Sequence, residues 1–269
     1  MASGDKRVLL DITDGIATVS LNRPDKYNGL DMPMFSELIA TARKLRKNRS
    51  VRAVILTGEG KAFCSGLDVK TVSKNPLNFV RLLIKPFCAS SNMAQNLAYE
   101  WRKVPAPVIA VCHGYCFGGG FQLALGADFR FTTPDCDFSI MESKWGLIPD
   151  MSLAITLREL VTIDLAKELT MTARRFNGEQ ALEYGLVSRV SDHPLEEAKA
   201  LAKELAARSP DAVAAAKLLF NRTWTASDRT ALKWETRLQM KILGRANQRL
   251  AMSRNTKKSE KDYGNRRSF

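Results

Sequence analysis

The chain has 269 residues, of which 45% are hydrophobic and 26% are charged, a composition typical of a globular protein and not of a disordered one. Its formal net charge of +13 favours anionic ligands, either phosphate-bearing small molecules or nucleic acid. No stretch approaches the roughly 20 consecutive apolar residues that span a bilayer, and the first residues lack the apolar core of a secretory signal. We therefore expect a cytoplasmic protein with no membrane partner.

The hydrophobic pattern predicts strands and helices in alternation, followed by helices alone. Asp14 and Gly15 form a turn signal between the first two strands. The predicted strands are Val8–Asp11, Ile16–Asn22, Val51–Thr57, Pro107–Cys112, Asp128–Thr132 and Asp137–Ile140. The predicted helices are Pro33–Asn48, most of Val69–Val104 with breaks near Pro76 and Pro86, the run from Phe121, Met151–Leu160, Ala166–Met171, Gly178–Tyr184, Pro194–Ser209 and Pro210–Arg245.

The cysteines and histidines form neither a disulfide pattern nor a metal-binding one. Five cysteines, an odd number without a CxxC pair, favour buried free thiols in a reducing compartment. The two histidines, His113 and His193, belong to no ligand-like group of cysteines and carboxylates. We predict no metal site and interpret His113 as a turn residue, with a substrate-facing position as the alternative.

Two segments are densely basic, Arg43–Arg49 in a predicted helix and the stretch from Arg254 to Arg267. We interpret the first as a solvated helix face and the second as a frayed terminus. Nucleic-acid binding is the alternative, and it would weaken steeply with added salt.

Three consecutive glycines, Gly118–Gly120, separate a predicted strand from a predicted helix. Such a turn exposes unpaired N–H groups at a helix N-terminus, which suits an oxygen that develops negative charge. A tight turn in which only glycine fits is the alternative. A second loop, Lys61–Asp68, also follows a strand and is rich in small residues, so two loops can direct two N–H groups at one carbonyl oxygen.

Four segments in this order resemble the motifs of the enoyl-CoA hydratase/isomerase superfamily, also called the crotonase family: Asn22–Leu30, Lys61–Asp68, Cys112–Leu123 and Met141–Pro149. The resemblance implies an α/β fold, the ClpP/crotonase-like spiral of ββα units with a C-terminal helical oligomerisation region. It implies a core at residues 1–193 for acyl-CoA binding and catalysis. Residues 194–269 would pack on this core and on neighbouring subunits, in a homotrimer or a dimer of trimers.

The resemblance also assigns the acyl-CoA site. The N–H groups of Leu67 and Gly119 would form an oxyanion hole for the thioester oxygen. No cofactor is implied, because coenzyme A enters as part of the thioester substrate. The residues expected around the substrate are Lys26, Tyr27, Asn28, Ala62, Ser65, Asp68, Val69, Tyr115, Gln122 and Trp145.

The acidic residues at the catalytic positions distinguish the reactions known in this family. Hydratases of this family carry glutamates at the positions of Gln122 and Glu142, so this chain lacks one of the two. Asp150 stands where dienoyl-CoA isomerases carry an aspartate, which makes Glu142 and Asp150 the candidate catalytic pair. Those isomerases also have an aspartate at the position of Gln122, and dehalogenases of the same fold use an aspartate at the position of Asp150 as a nucleophile. Trp145 could then line an aromatic pocket.

Structural roles are the alternatives for both carboxylates: an exposed helix or strand-end position for Glu142, and the N-cap of Met151–Leu160 for Asp150. If the carboxylate lies among Ile140, Trp145 and Leu147, desolvation should raise its pKa.

We favour an isomerase that shifts a double bond in an enoyl-CoA or dienoyl-CoA by proton transfer. The rivals are a hydratase with one glutamate, an RNA-binding homologue that uses Arg43–Arg49, and a catalytically weak acyl-CoA binder.

Overall fold

Strands and helices alternate before a helical C-terminal part, as the hydrophobic pattern predicts. The structure is a computed structural model that describes residues 6–85, 87, 89–257 and 261–269. The strands are β1 (Val8–Thr13), β2 (Ile16–Leu21), β3 (Ala53–Gly58), β4 (Val108–Cys112), β5 (Tyr115–Phe117), β6 (Phe129–Thr132), β7 (Asp137–Ser139) and β8 (Arg189–Val190). The helices are α1 (Met32–Lys47), α2 (Val69–Val72), α3 (Leu77–Leu83), α4 (Met93–Arg102), α5 (Gly119–Leu125), α6 (Leu153–Leu157), α7 (Ile163–Thr172), α8 (Gly178–Glu183), α9 (Pro194–Ala206), α10 (Pro210–Thr223), α11 (Asp228–Ile242) and α12 (Ala246–Lys257).

A six-stranded sheet in the order β1-β2-β3-β4-β6-β8 forms the centre. The predicted hairpin joins β1 and β2 around Asp14 and Gly15, whose φ values of 52° and 76° give the left-handed backbone of a tight hairpin turn. All other pairings in this sheet are parallel. The carboxyl ends of β3 and β4 therefore lie at one edge of the sheet, where the loops that follow them can meet.

Helices cover both faces of the sheet. Successive residues of β3 point to opposite faces, so Val54 and Leu56 join the large cluster that includes the buried face of α1. Ala53 and Ile55 join a smaller cluster with α9. Helix α1 begins at the N-cap Asp31, whose carboxylate accepts a hydrogen bond from the N–H of Met34 at 2.9 Å. The sheet is thus a rigid base for the loops at its carboxyl edge.

Two further predictions agree with the structure: the buried free cysteines and the break in the helical segment near Pro76. The described cysteines are free and buried: Cys64, Cys112, Cys116 and Cys136. Burial raises the pKa of Cys64 to about 12, which leaves the thiol protonated. Pro76 is the N-cap residue of α3. Cys88 and the break near Pro86 lie outside the described residues.

Several predicted elements are wrong. The predicted helix Pro210–Arg245 is two helices, because the chain leaves helical geometry before Ser227, the N-cap residue of α11. The predicted strand list lacks β5, which pairs in parallel with β7. The basic C-terminal segment does not simply fray, since it contains the end of α12 and a return segment in which the Arg266 N–H donates to the Arg49 carbonyl at 3.0 Å. Within the described ranges, no helix has the length and apolarity needed to cross a bilayer.

Candidate active site

The segments singled out from the sequence meet at the carboxyl edge of the sheet. The N–H of Cys64 donates to the Tyr115 carbonyl at 2.9 Å, and the Phe117 N–H donates to the Cys64 carbonyl at 3.0 Å. The N–H of Leu30 donates to the Gly66 carbonyl at 2.8 Å. These backbone hydrogen bonds fix the loop after β3 between the N-terminal motif and the segment that leads into α5.

The backbone of Gly66, which precedes Leu67, lies beside the first turn of α5. Gly66 has a φ of +91°, and a Cβ at this position would lie 2.9 Å from the Phe117 carbonyl oxygen and 3.7 Å from the Gly119 nitrogen. Gly119 begins α5, so its N–H has no acceptor within the helix. Among the residues that the structure describes, neither the Leu67 N–H nor the Gly119 N–H has a hydrogen-bond acceptor. Two free donors from adjoining backbone segments can stabilise a developing oxyanion.

Glu142 starts a short 3-10 helix, Glu142–Trp145, and its side chain is partly buried beside this turn. Its Oε1 accepts a hydrogen bond from Nε2 of Gln122 at 2.6 Å, whereas its Oε2 is buried and has no partner among the described residues. A Cβ at Gly118 would lie 3.3 Å from Oε1, so the carboxylate borders the turn that presents Gly119. Glu142 therefore does not occupy the exposed position that its structural alternative predicts.

The electrostatic environment of Glu142 suits proton transfer. Burial raises the pKa of Glu142, and the charge of Asp150 acts in the same direction, against the hydrogen bond from Gln122. A carboxyl group whose pKa moves towards neutrality can both accept and return a proton. Of the three apolar residues expected around it, Ile140 is buried, but Trp145 and Leu147 are 65% and 58% exposed. Trp145 therefore does not line an enclosed aromatic pocket.

Asp150 lies between this 3-10 helix and α6. Burial raises the pKa of Asp150 as well, and the charge of Asp150 contributes to the raised pKa of Glu142, so the two carboxyl groups lie within electrostatic reach of each other. The alternative N-cap role is wrong, because α6 begins at Leu153 and its N-cap residue is Ser152. The predicted helix Met151–Leu160 is correspondingly shorter than its hydrophobic pattern indicates.

Gln122 is buried and hydrogen-bonded at both ends of its amide. Nε2 donates to Glu142, and Oε1 accepts from the Met151 N–H at 2.8 Å. Its side chain is 1% exposed. The expected contact with substrate is thus replaced, in this structure, by contacts with the protein itself. The sequence gives no signal of the Met151 contact, because a backbone donor is independent of residue type.

Four of the residues expected around the substrate lie at the surface of this region. Lys26 is exposed, Tyr27 and Tyr115 are 46% and 38% exposed, and Val69 is 43% exposed. The rings of Tyr27 and Tyr115 meet edge to face, with centroids 5.6 Å apart. These side chains are accessible to a ligand that approaches the two loops.

Other expected contact residues hold the loops together. Asn28 is buried, and its side chain accepts from the Arg23 N–H at 2.8 Å and donates to the Ala62 carbonyl at 2.7 Å. The Ser65 N–H donates to the Tyr27 carbonyl at 2.9 Å. The side chain of Asn28 and the backbone of Ala62 and Ser65 therefore brace the site.

Asp68 and His113 also make internal contacts. Asp68 forms an ion pair with Arg23 at 2.7 Å and caps α2 through the Thr71 N–H. Burial alone would raise the pKa of Asp68, but hydrogen bonds from Thr71 and Arg23 lower it. A ring nitrogen of His113 lies 3.1 Å from the Gly60 carbonyl oxygen, which agrees with its interpretation as a turn residue.

Comparisons with known proteins identify the family. The sequence model of enoyl-CoA hydratase/isomerase matches residues 11–266. The mitochondrial Delta(3,5)-Delta(2,4)-dienoyl-CoA isomerase of Mus musculus is 35% identical over 218 residues, which are 74% of this chain and 64% of that protein. This chain therefore spans less than two thirds of the mouse enzyme. The carnitinyl-CoA dehydratase of Proteus mirabilis (strain HI4320) is 31% identical over 77% of each chain.

Solved structures confirm the predicted α/β fold class. The enoyl-CoA hydratase of Bacillus anthracis matches with a TM-score of 0.87 and 29% identity, over 96% of this chain and 98% of that one. The enoyl-CoA hydratase of Mycobacterium tuberculosis H37Rv matches with a TM-score of 0.85 and 25% identity, over 97% and 99% of the two chains. With a family match over nearly its whole length and the same fold, the chain belongs to the enoyl-CoA hydratase/isomerase family.

Proposed function

We propose that this protein is an acyl-CoA isomerase that shifts a double bond in an enoyl-CoA or dienoyl-CoA. One observation carries the proposal: Glu142 has a buried oxygen without a partner among the described residues, the charge of Asp150 helps to raise its pKa, and its carboxylate borders the turn that leads into α5 at Gly119. One of the two positions at which hydratases carry a glutamate holds Gln122, whose amide cannot act as a general base at neutral pH. The name of the mouse dienoyl-CoA isomerase supports the same choice.

The proposed reaction moves one proton off the acyl chain and another onto it. The Leu67 and Gly119 N–H groups donate to the thioester oxygen, which gains negative charge as a carbon–hydrogen bond breaks. Oε2 of Glu142 takes that proton, and the electron pair is delocalised along the conjugated chain. Asp150 gives a proton to the far end of the system, so the double bonds shift without a change in composition. Exchange of protons with water restores both carboxyl groups.

Hydration is the second candidate, because the solved structures named above are of enoyl-CoA hydratases. A hydratase that lacks the second glutamate would have to activate water with Glu142 alone. The hydrogen bonds of Gln122 to Glu142 and Met151 also restrict its freedom to orient a water molecule. The geometry therefore favours isomerisation.

The proposed partners are an acyl-CoA substrate and further copies of the chain, with no separate cofactor. Large apolar side chains on α10 and α11 and between them are exposed, which favours their burial between subunits of a trimer or a dimer of trimers. They are Phe220, Trp224, Leu232 and Met240, with exposed fractions between 55% and 71%. In the basic segment proposed for RNA binding, Arg43 and Arg46 contact Glu100, which weakens that alternative.

A parallel assay of three reactions tests the proposal: isomerisation of 3,5-dienoyl-CoA, isomerisation of 3-enoyl-CoA, and hydration of crotonyl-CoA. We expect isomerisation to dominate and to fall by about 10²-fold or more in Asp150→Asn, with Asp135→Asn as the exposed control. Rapid hydration that survives Asp150→Ala would show that the protein is a hydratase.

A further inference from the structure

Gln122 joins three parts of the candidate site that are separate in the sequence. It lies in α5, donates to Glu142 at the start of the 3-10 helix, and accepts from the Met151 N–H in the turn that carries Asp150. The two hydrogen bonds span 20 and 29 residues along the chain. At 2.6 Å and 2.8 Å, both have the short lengths of well-formed hydrogen bonds.

The hydrogen bond to Glu142 makes its two carboxylate oxygens inequivalent. A free carboxylate can use either oxygen as a base, because rotation about its last side-chain bond exchanges them. Here Oε1 is held by an amide donor, and Oε2 is left without a partner in the described part of the chain. A buried acceptor without a donor is costly, so its retention points to a use other than stability.

We propose that Gln122 is a positioning residue that selects Oε2 of Glu142 as the proton-transferring atom and holds the Asp150 turn through Met151. This inference rests on the proposed isomerase function. The amide is suited to the task because its Nε2 can only donate and its Oε1 can only accept, so the two contacts cannot exchange roles. A neutral amide also does not compete with Glu142 for the transferred proton.

The same contacts make position 122 a determinant of the reaction. A glutamate here would accept from the Met151 N–H as before, but it would face Glu142 as a second carboxylate. A glutamate reaches as far as Gln122 does, further than the aspartate of the dienoyl-CoA isomerases, so its carboxylate would share one proton with Glu142 and lower the amount of free base for isomerisation. The arrangement with two carboxyl groups around one water would then become available.

The test compares Gln122→Met, Gln122→Glu and the control Gln180→Met with the wild-type protein. Gln122→Met keeps the length of the side chain and loses both hydrogen bonds. Gln180→Met loses a helix-capping hydrogen bond elsewhere in the chain. The primary readout is titration of the Glu142 carboxyl group by ¹³C NMR of protein labelled at glutamate, with its signal assigned by its loss in Glu142→Gln. This readout does not require any catalytic activity.

We expect the pKa of Glu142 to rise in Gln122→Met, because a donor that stabilises the carboxylate is lost. The acid limb of the kcat profile for isomerisation should move to higher pH by the same interval, with KM for the acyl-CoA within about twofold and kcat at pH 7 lowered about tenfold or more. In Gln122→Glu we expect a larger loss of isomerisation and a gain in crotonyl-CoA hydration. Gln180→Met should change neither the titration nor the pH profile.

A variant Gln122→Met that unfolds at lower temperature but keeps the wild-type titration and pH profile would overturn the positioning role, because only packing would have changed. If Gln122→Met does not fold, the same comparison is made with Gln122→Glu, which retains the shape of the side chain. A wild-type protein without isomerase activity, in which substitution of Gln122 still moves the titration of Glu142, would overturn the proposed function and support the positioning role.

Discussion

Glu100 is buried and Glu142 is partly buried with one enclosed oxygen, and the two differ in the charge that surrounds them. The side chain of Glu100, in α4, is 5% exposed and contacts three cations, Arg43, Arg46 and Lys103, at 3.3–3.4 Å. Glu142 contacts a neutral amide and keeps one oxygen without a partner among the described residues. The first arrangement satisfies the carboxylate and ties α1 to α4. The second leaves a basic oxygen available, so burial indicates function here only where the charge is not compensated.

Among the substitutions that test this comparison, we expect Glu142→Gln to have the largest effect on activity. The substitution keeps the shape of the side chain and removes the base, so kcat for isomerisation should fall by about 10²–10⁴-fold. Unfolding temperature should stay the same or rise, because a desolvated charge is removed. Stopped-flow absorbance of the dienoyl-CoA and thermal unfolding by circular dichroism measure the two quantities. An active Glu142→Gln protein would place the base elsewhere.

Gly119→Ala tests whether the uncompensated carboxylate works together with the backbone donors. An added Cβ would lie 2.7 Å from Sδ of Met151 and 2.9 Å from Cδ1 of Leu30. Either the ends of the Met151 and Leu30 side chains or the first turn of α5 must then shift. We expect the helix to take part of this shift, and a displacement of about 1 Å at a catalytic donor costs on the order of 10²-fold in rate. Assays of kcat/KM for isomerisation measure this loss.

Gly264→Ala is the control for this substitution, since the nearest atom to its added Cβ is 3.6 Å away. Equal kcat/KM values for Gly119→Ala and the wild type would show that the Met151 and Leu30 side chains accommodate the added Cβ and that the N–H of residue 119 does not move.

The sequence predicts the backbone turns of the molecule well, because glycine and other turn residues determine the local backbone conformation. The hairpin at Asp14 and Gly15 follows from residues that tolerate a positive φ, and both have one. The run of glycines predicts the start of α5, and the resemblance to a family assigns Glu142 and Asp150 to one site, which agrees with the effect of the Asp150 charge on the pKa of Glu142. Local geometry and motif order are therefore sufficient for the outline of the site.

The distribution of hydrogen bonds within the site could not be predicted. Gln122 and Asn28 stand at positions expected to contact substrate, yet both side chains are engaged by segments far away in the sequence. Their partners include the Met151 N–H and the Ala62 carbonyl. Every residue type offers a backbone carbonyl, and every type except proline offers a backbone N–H. Likewise, the hydrophobic pattern runs on through Trp224, where the helix ends. Such features depend on tertiary packing that periodicity does not encode.

Glu100→Gln should separate the compensated carboxylate from the catalytic one. Three cations would then face a neutral amide, and we expect a loss of about 1–3 kcal/mol in the free energy of unfolding, moderated because Arg43 and Arg46 are partly exposed. The kcat for isomerisation should remain within about twofold of wild type, since the group takes no part in proton transfer. Urea unfolding and the isomerase assay provide the measurements.

The exposed Glu59 supplies the control Glu59→Gln, which should alter neither quantity. A large fall in kcat with unchanged stability in Glu100→Gln would reverse the roles assigned to Glu100 and Glu142.

The smallest effect concerns the dependence of stability on pH. The folded protein raises the pKa of Glu142, mainly by burial, so the native state binds this proton more tightly than the unfolded chain does. The resulting stabilisation is fully present below the ordinary glutamate pKa and is lost as the pH rises through the raised value. The variant Glu142→Gln has no titrating group at position 142. Asp150, whose pKa is also raised, contributes the same dependence of stability on pH to both proteins. The unfolding temperature of Glu142→Gln relative to wild type should therefore increase from acidic to neutral pH, and a constant difference would mean that the Glu142 carboxylate is already compensated in the native state.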